Sequence, residues 1–514
     1  MSKTIIIIGA GLAGLSATLQ AAENGCNVKL VSSLPSERAQ SVMAEGGINA
    51  ALNTKDENDS PEEHFTDTIK AACGLADPNA VWGMTQAAPE LVHWLLKLGV
   101  KFNMSGYDDV DLRNFGGQKK KRTAFAQSDT GKQIMTAMID AVRRKEASGM
   151  VERFSHHSFL TLRLCGNICC GCVIRDEYSQ ETVELPGDAV IVATGGMHGL
   201  FGNTTGSLSN TGEVTAELFR LGVPLANGEM IQYHPTTVKC GGKRMLISEA
   251  ARGEGGRLFA MKDGKQWYFM EEKYPELGNL MPRDITAREI WKVSHESEVF
   301  LDMTEISEEI ISNKLSGLAD DCMTYLHKDI RKEPVSVLPG IHYFMGGILV
   351  DEQHRTPIQN LCAAGECCAQ YHGANRLGGN SLLGALYGGR VAAKSACEQA
   401  DVVDLSCATQ IDFPPASQIS EIKQLNKVMQ ETMGVVRNEN TLLNGIQTVQ
   451  ALTGNLPLLG MAVLKSALAR KESRGAHWRE DYPKSNDDDY LKTTVARFDG
   501  KQIQISFVPV PERR

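Results

Sequence analysis

No apolar run in these 514 residues is long enough to cross a bilayer, so no transmembrane segment is expected in the chain itself. A surplus of basic charge is also missing. Lys and Arg number 53 against 62 Asp and Glu, and the net charge of −9 argues against nucleic acid as a partner. There is no internal repeat and no low-complexity segment. The 13 cysteines lack the spacing of a disulfide framework, and a chain this long needs none. No cysteine set has zinc or iron–sulfur spacing, and no Cys-x-x-Cys-His marks an attached haem. The tightest group is Cys165, Cys169, Cys170 and Cys172. It lies in alternating segments around Gly166-Asn167 and is expected to be small core residues of a hairpin. Lys3 and the apolar run to Leu19 have the outline of a signal peptide, but a glycine turn interrupts them and no clear cleavage site follows. A cytoplasmic location is therefore expected.

What is present starts at the ninth residue. Thr4-Ile5-Ile6-Ile7-Ile8 reads as a buried parallel strand, Gly9-Ala10-Gly11-Leu12-Ala13-Gly14 as a tight turn, and Leu15 to Leu19 as a helix. Strand, glycine turn and helix make a dinucleotide cradle, because bare backbone N–H groups can approach a pyrophosphate at the positive end of the helix. A second strand, Asn27 to Val31, ends in Ser32-Ser33, where a nicotinamide-binding unit usually places Asp or Glu. Serine there hints at a flavin protein. No second glycine fingerprint with an acidic partner is evident, so no NAD(P) site is expected.

Residues 61–150 read as mostly helical, and 159–192 alternate like strands, ending in Ala193-Thr194-Gly195-Gly196. From Gln232 to His342 the texture changes to polar loops and short amphipathic segments, as in an inserted domain. The nucleotide sheet is expected to resume at Gly347 to Val350 and Leu361 to Glu366. Pro414 to Lys471 reads as a separate helical region and 495–510 as extended. The basic run Lys119-Lys120-Lys121-Arg122 reads as a solvated loop.

A series of motifs now accumulates in order: Ala44-Glu45-Gly46-Gly47, Phe115-Gly116-Gly117, Arg122-Thr123, Gln232-Tyr233-His234-Pro235-Thr236, Ser248-Glu249-Ala250-Ala251-Arg252-Gly253, Pro282-Arg283-Asp284, His342-Tyr343-Phe344-Met345-Gly346-Gly347, Gly365-Glu366, His372 to Leu382, and Ser473-Arg474-Gly475-Ala476-His477. Together with the first glycine turn, they resemble the flavoprotein subunit of fumarate reductase and succinate dehydrogenase, with L-aspartate oxidase a close cousin. The resemblance implies an α/β fold. It has a Rossmann-like FAD-binding domain in two segments (1–231 and 343–403), an inserted α+β capping domain (232–342) and a C-terminal helical domain with an extended tail (404–514). It further implies that Gly9, Ala10, Gly11 and Gly14 hold the FAD pyrophosphate and that Ser32 sits near the ribose. Ala44, Gly46 and Gly47 would run along the isoalloxazine. Ala193, Thr194, Gly195, Glu213, Glu366, Arg376, Ser381 and Leu382 would complete the cofactor contacts.

The same resemblance implies the chemistry. Reducing fumarate, a flat dianion, needs a hydride on one alkene carbon and a proton on the other. His234 and Ser248 would hold one carboxylate, and His342 and Arg376 the other, with a two-point arginine grip. Arg283 would donate the proton, although arginine is a poor acid in water. Glu249 and Arg252, three apart on one helix face, would relay it. Two positions depart from relatives. Membrane-bound members attach FAD covalently through a histidine four residues before the Ala of Ala-Glu-Gly-Gly. Here that residue is Gln40, followed by Ser41, so FAD is expected to be non-covalent and fumarate reduction favoured. Glu45, where many succinate dehydrogenases carry Gln, leans the same way. L-aspartate oxidase has Glu where this chain has Phe115, and a phenyl ring cannot pair with a substrate ammonium. An unaminated C4 dicarboxylate is the expected substrate. An aspartate-oxidase-like activity or a non-catalytic electron-transfer subunit are the alternatives. With FAD as the single redox centre, electrons are expected from outside: the resemblance, Ser473 to His477 included, implies an iron–sulfur subunit docking near the flavin, which would place the chain on the cytoplasmic face of a membrane, and a small carrier is the alternative.

Overall fold

The structure is a computed structural model that describes residues 2–106, 109–399, 408, 410–411, 413 and 418–514. Strand β1 (Thr4–Ile8) enters at the centre of a five-stranded sheet, and every pairing in that sheet is parallel. The order is Leu361–Ala363, Ala189–Val192, β1, β2 (Asn27–Ser32) and Val151–Ser155. The unbroken apolar run of β1 follows from this position, since a central parallel strand is covered on both faces. The order reverses between β1 and Ala189–Val192. In an open α/β sheet that reversal opens a crevice at the carboxyl ends of the strands.

Helix α1 (Leu12–Glu23) leaves the crevice with Gly11 as its N-cap, a residue that has no side chain to cap it. Gly9 has φ +109°, and a Cβ there would sit 2.3 Å from the Ala193 carbonyl oxygen. At Gly14 it would sit 1.8 Å from the Gly9 oxygen. The glycines therefore serve chain crossing as much as ligand approach. Helices α2 (Pro61–Ala71), α3 (Pro78–Leu98) and α4 (Thr130–Ala147) share α1's core. The cysteine-rich hairpin forms as expected, except that Cys165 is only partly buried. His157–Cys165 pairs antiparallel with Ile168–Asp176, and Cys169, Cys170 and Cys172 are buried.

Helix α5 (Glu213–Arg220) precedes the segment that caps the crevice. There Ile231–Cys240 pairs with Lys243–Leu246 and Leu338–Phe344. A second antiparallel sheet, built on Arg257–Lys262, packs with α6 (Glu249–Gly253), α7 (Phe269–Lys273), α8 (Arg283–Val293), α9 (Glu308–Lys314) and α10 (Ser316–Asp321) around Leu258, Ile290 and Leu301. Helix α11 (Asn380–Gln399) returns along α1. The expected boundary at 403/404 and the expected helical start at Pro414 lie outside the described residues.

Three expectations are corrected. Gly347–Leu349 is not in the nucleotide sheet. It pairs with Leu225–Ala226 and Cys368–Ala369 in another five-stranded sheet, which the tail strands Lys492–Phe498 and Ile503–Pro509 complete. A three-residue apolar run satisfies either sheet, so periodicity could not choose. The helices α12 (Ile419–Thr432), α13 (Glu439–Val449) and α14 (Asn455–Ala469) are not a separate body. Leu425, Leu442 and Leu459 share one core with Phe201, Phe219 and Ile231. Arg122 is not solvated. It is fully buried between Asp59 (2.8 Å) and Asp67 (3.0 Å), because the basic run dives inward after Lys121.

The tail is fixed by buried charge. Arg470 meets Glu229 at 2.7 Å and Glu472 at 2.8 Å, and Arg474 meets Glu472 at 2.8 Å. Removing one member leaves charge buried without its partner. Glu472→Ala is expected to cost about 3–5 kcal/mol, read as a lower urea midpoint, whereas an exposed Glu→Ala change should cost under about 1 kcal/mol.

Candidate active site

The five strand ends converge on one cavity of about 890 Å³. Gly9, Ser32, His156, Ala193 and Ala364 each follow or close a strand of the nucleotide sheet, and all line it. Ala10, Gly11, Ala44, Gly46, Gly47, Thr194, Gly195, Glu213, Glu366, Ser381 and Leu382 line it too. Gly14 does not. Its bare Cα packs under Gly9, so its part is to let α1 start, not to touch a ligand.

The lining fits a dinucleotide flavin. The N-terminus of α1, where Ser41 Oγ takes only the Leu12 N–H, turns the positive end of its dipole to the wall that Gly9, Ala10 and Gly11 form. Ser32 Oγ is buried at the end of β2 without a partner, where a ribose hydroxyl would meet it. Gly47, with φ +133°, brings the Glu45–Gly47 loop against Ala124, leaving no room for a Cβ. Arg113, buried over the Phe125 ring, fixes the same loop by donating to the carbonyl oxygens of Glu45 (3.1 Å) and Gly46 (2.6 Å). Glu366 accepts from Phe344 N–H at 3.1 Å, tying this wall to the strand Leu338–Phe344.

The other end of the cavity gathers His234, Ser248, Glu249, Arg283, His342, Arg376 and Phe115. His234 lies where the register of Ile231–Cys240 against Leu338–Phe344 slips, beside Pro235. Such a bulge re-aims a side chain. Ser248 caps α6 by accepting from Ala250 N–H at 3.4 Å, so Glu249 begins the helix where a carboxylate is favoured. Arg283 begins α8, where a cation is disfavoured, and Glu249 offsets this. Arg283 Nε and one terminal nitrogen donate to Glu249 Oε2 at 2.9 and 2.5 Å, and the other terminal nitrogen donates to Gln232 Oε1 at 3.1 Å. Arg252 donates to Glu249 Oε1 at 3.3 Å from behind and to the Asn279 carbonyl at 2.6 Å. Arg252 does not line the cavity.

Burial pushes Glu249 upward, but Arg283 and Arg252 outweigh it and hold the carboxyl below its usual value. Burial and then Arg283 push His234 and His342 well below the usual imidazole value, so both rings are neutral at neutral pH. Their centroids lie 5.2 Å apart. Arg376 stacks over Tyr343 at 4.3 Å. His234 Nε2 and Arg376 Nε are buried polar atoms without a partner. The cationic side chains exceed what Glu249 neutralises, which suits an anion.

Thr205 carried no sequence signal, and two motif segments, at Gln232 and at Ser473 to His477, have parts that their motifs did not show. Gln232 joins both halves of the grip, since it also donates to Asn375 Oδ1 (3.0 Å) and the Arg376 carbonyl (2.9 Å). Thr205 Oγ1 holds His342 Nδ1 at 2.8 Å. Ser473 to His477 is interior, not a docking face: Ala476 N–H donates to the Ala374 carbonyl at 2.9 Å, bracing the loop of Arg376.

Residues 4–382 match the FAD binding domain family, and residues 452–513 match the fumarate reductase flavoprotein C-terminal family. The chain is 38% identical to the succinate dehydrogenase flavoprotein subunit of Bacillus subtilis (strain 168), covering 100% of this chain and 98% of that one. It is 32% identical to the 8-methylmenaquinol:fumarate reductase flavoprotein subunit of Wolinella succinogenes, covering 100% and 92%. A variant of E. coli quinol fumarate reductase FrdA superposes with a TM-score of 0.90 at 27% identity, covering 99% and 97%. No helix among the described residues is long and apolar enough to cross a membrane. The chain belongs to the succinate dehydrogenase/fumarate reductase flavoprotein family, and it is an FAD-dependent oxidoreductase.

Proposed function

We propose that the chain reduces fumarate to succinate. The observation that carries this reading is the Glu249 carboxylate held between Arg283, which lines the cavity, and Arg252, which stands behind it. When bound, FAD supplies the two-electron hydride chemistry. The protein's part is grip and proton. His342 and Arg376 take one substrate carboxylate, and His234 and Ser248 the other. Neutral imidazoles offer N–H donors without adding charge, so the arginines carry the attraction. Arg283 delivers a proton to the alkene carbon opposite the hydride, and Glu249 and Arg252 return one to it.

Non-covalent FAD is part of the proposal. Gln40 lines the cavity, and an amide does not form the bond that an imidazole can. Ser41 Oγ is engaged in accepting from Leu12 N–H at 3.2 Å. Phe115, 2% exposed, packs against Gly46 and Gly378 and offers no partner to an ammonium, which favours fumarate over aspartate. Electrons reach the flavin from an iron–sulfur subunit or a small carrier.

Arg283→Gln is expected to keep FAD but lose fumarate reduction by about 10²–10⁴-fold in anaerobic dye-linked assays. Wild-type turnover would show that another group donates the proton. Acid precipitation should leave the yellow colour in the supernatant; colour in the pellet would mean covalent FAD. Glu45 supplies a pH test. Burial and Asp321 push its carboxyl up to about 8, so it is neutral below that pH and anionic above it. Its ionisation adds negative charge beside a dianion. KM for fumarate should therefore climb above about pH 8, and Glu45→Gln should flatten the climb.

A further inference from the structure

Away from the cavity, two cysteines from opposite ends of the FAD-binding segments meet. Cys26 lies between α1 and β2 and is buried; Cys397 lies in the last turn of α11 and is half-buried. Their sulfurs are 3.0 Å apart, inside ordinary sulfur contact, so only about 1 Å separates them from bonding distance. The meeting is not incidental. Ser16 Oγ donates to the Leu386 carbonyl at 2.6 Å. Gly389 has no room for a Cβ, which would stand 2.3 Å from the Ala13 oxygen. Lys3 Nζ donates to the Cys397 carbonyl at 2.6 Å, and Arg390 reaches Glu23 at 3.6 Å. The two helices are thus held in contact along their length by groups other than the thiols, and the sulfurs face each other across that contact.

Neither cysteine lines the cavity, and nothing in the proposed reduction uses them. We infer that Cys26 and Cys397 form a redox-active dithiol that closes to a disulfide and staples the far ends of α1 and α11. The near ends of both helices, at Gly11–Leu12 and Ser381–Leu382, line the cofactor cavity. A low-molecular-weight disulfide is the oxidant. The thiolate of Cys397, the more exposed partner, attacks one of its sulfurs. The S–S bond breaks, one thiol leaves, and a mixed disulfide remains. The Cys26 thiolate then attacks Cys397 Sγ and expels the second thiol. Two electrons pass to the oxidant, and the two cysteine protons end on the two thiols released.

Burial and the neighbouring Cys26 thiol push Cys397 up to about 12, against the opposing influence of Asn24 and Lys3. The first attack is therefore slow at neutral pH and quickens in mild alkali. Because the bond would join positions 371 residues apart, it restricts a very long loop of the unfolded chain.

The test incubates the FAD-loaded protein with oxidised glutathione in mild alkali, quenches by acid, and maps tryptic peptides without reduction. The expected product joins residues 4–29, which hold Cys26, to residues 395–423, which hold Cys397 and Cys407. Cys397→Ala should abolish the link and Cys407→Ala should leave it. The oxidised protein should melt a few degrees higher, and dithiothreitol should reverse the shift. Unlinked peptides, a link that survives Cys397→Ala, a glutathione adduct that stops at Cys397, or a link with no thermal shift would each overturn the inference.

Discussion

One carboxylate organises the reacting end of this molecule. Glu249 is buried with Arg283 on one side and Arg252 on the other, and a buried ion triad is tolerated only when its geometry and remaining hydrogen bonds are met. That demand reaches across the junction. A Cβ at Gly116 would stand 2.6 Å from Glu249 Oε1, and one at Gly378 would stand 2.9 Å from Oε2. Two glycines that look like simple turn residues are thus the walls against which the capping segment seats its carboxylate. Gln232, which accepts from Arg283 and donates to the Arg376 carbonyl, fixes the spacing between these two arginines.

The electrostatics follow from the same crowding. Several arginines in one buried space make protonated imidazoles unfavourable, so His234 and His342 are neutral hydrogen-bonding groups. Burial beside Arg283 also pushes Arg376 down, to about 9. A dianion between these groups would relieve the repulsion that holds them in this state. The pocket is strained electrostatically in the direction that an anion relaxes.

The sequence made the entrance to the fold legible, because β1, the glycine turn and α1 are local and their residue types admit few other conformations. It also made Glu249 and Arg252 legible as a pair, since their three-residue spacing on α6 sets the contact. What escaped was long-range. Gln232 sits 144 residues from Arg376, and nothing local says that an amide in a strand will hold both it and Arg283. Gly347–Leu349 joined the sheet that Leu225–Ala226 offered, a choice decided by partners and not by pattern. Arg122 departs from the usual solvated charge run because its partners, Asp59 and Asp67, lie far enough upstream to be invisible to a local pattern.

The brace behind Arg376 carries a consequence for how the molecule comes into being. The lining of the large cavity ends at Ala385, well before the C-terminal helices begin. Ala476 and the Gly475 backbone, which leaves no space for a side chain against Ala374, follow α14. On the ribosome the nucleotide cradle is therefore synthesised long before the residues that steady the Arg376 loop. Assembly follows chain order: the walls of the cavity emerge first, and the brace that steadies Arg376 only after the C-terminal helices have followed them.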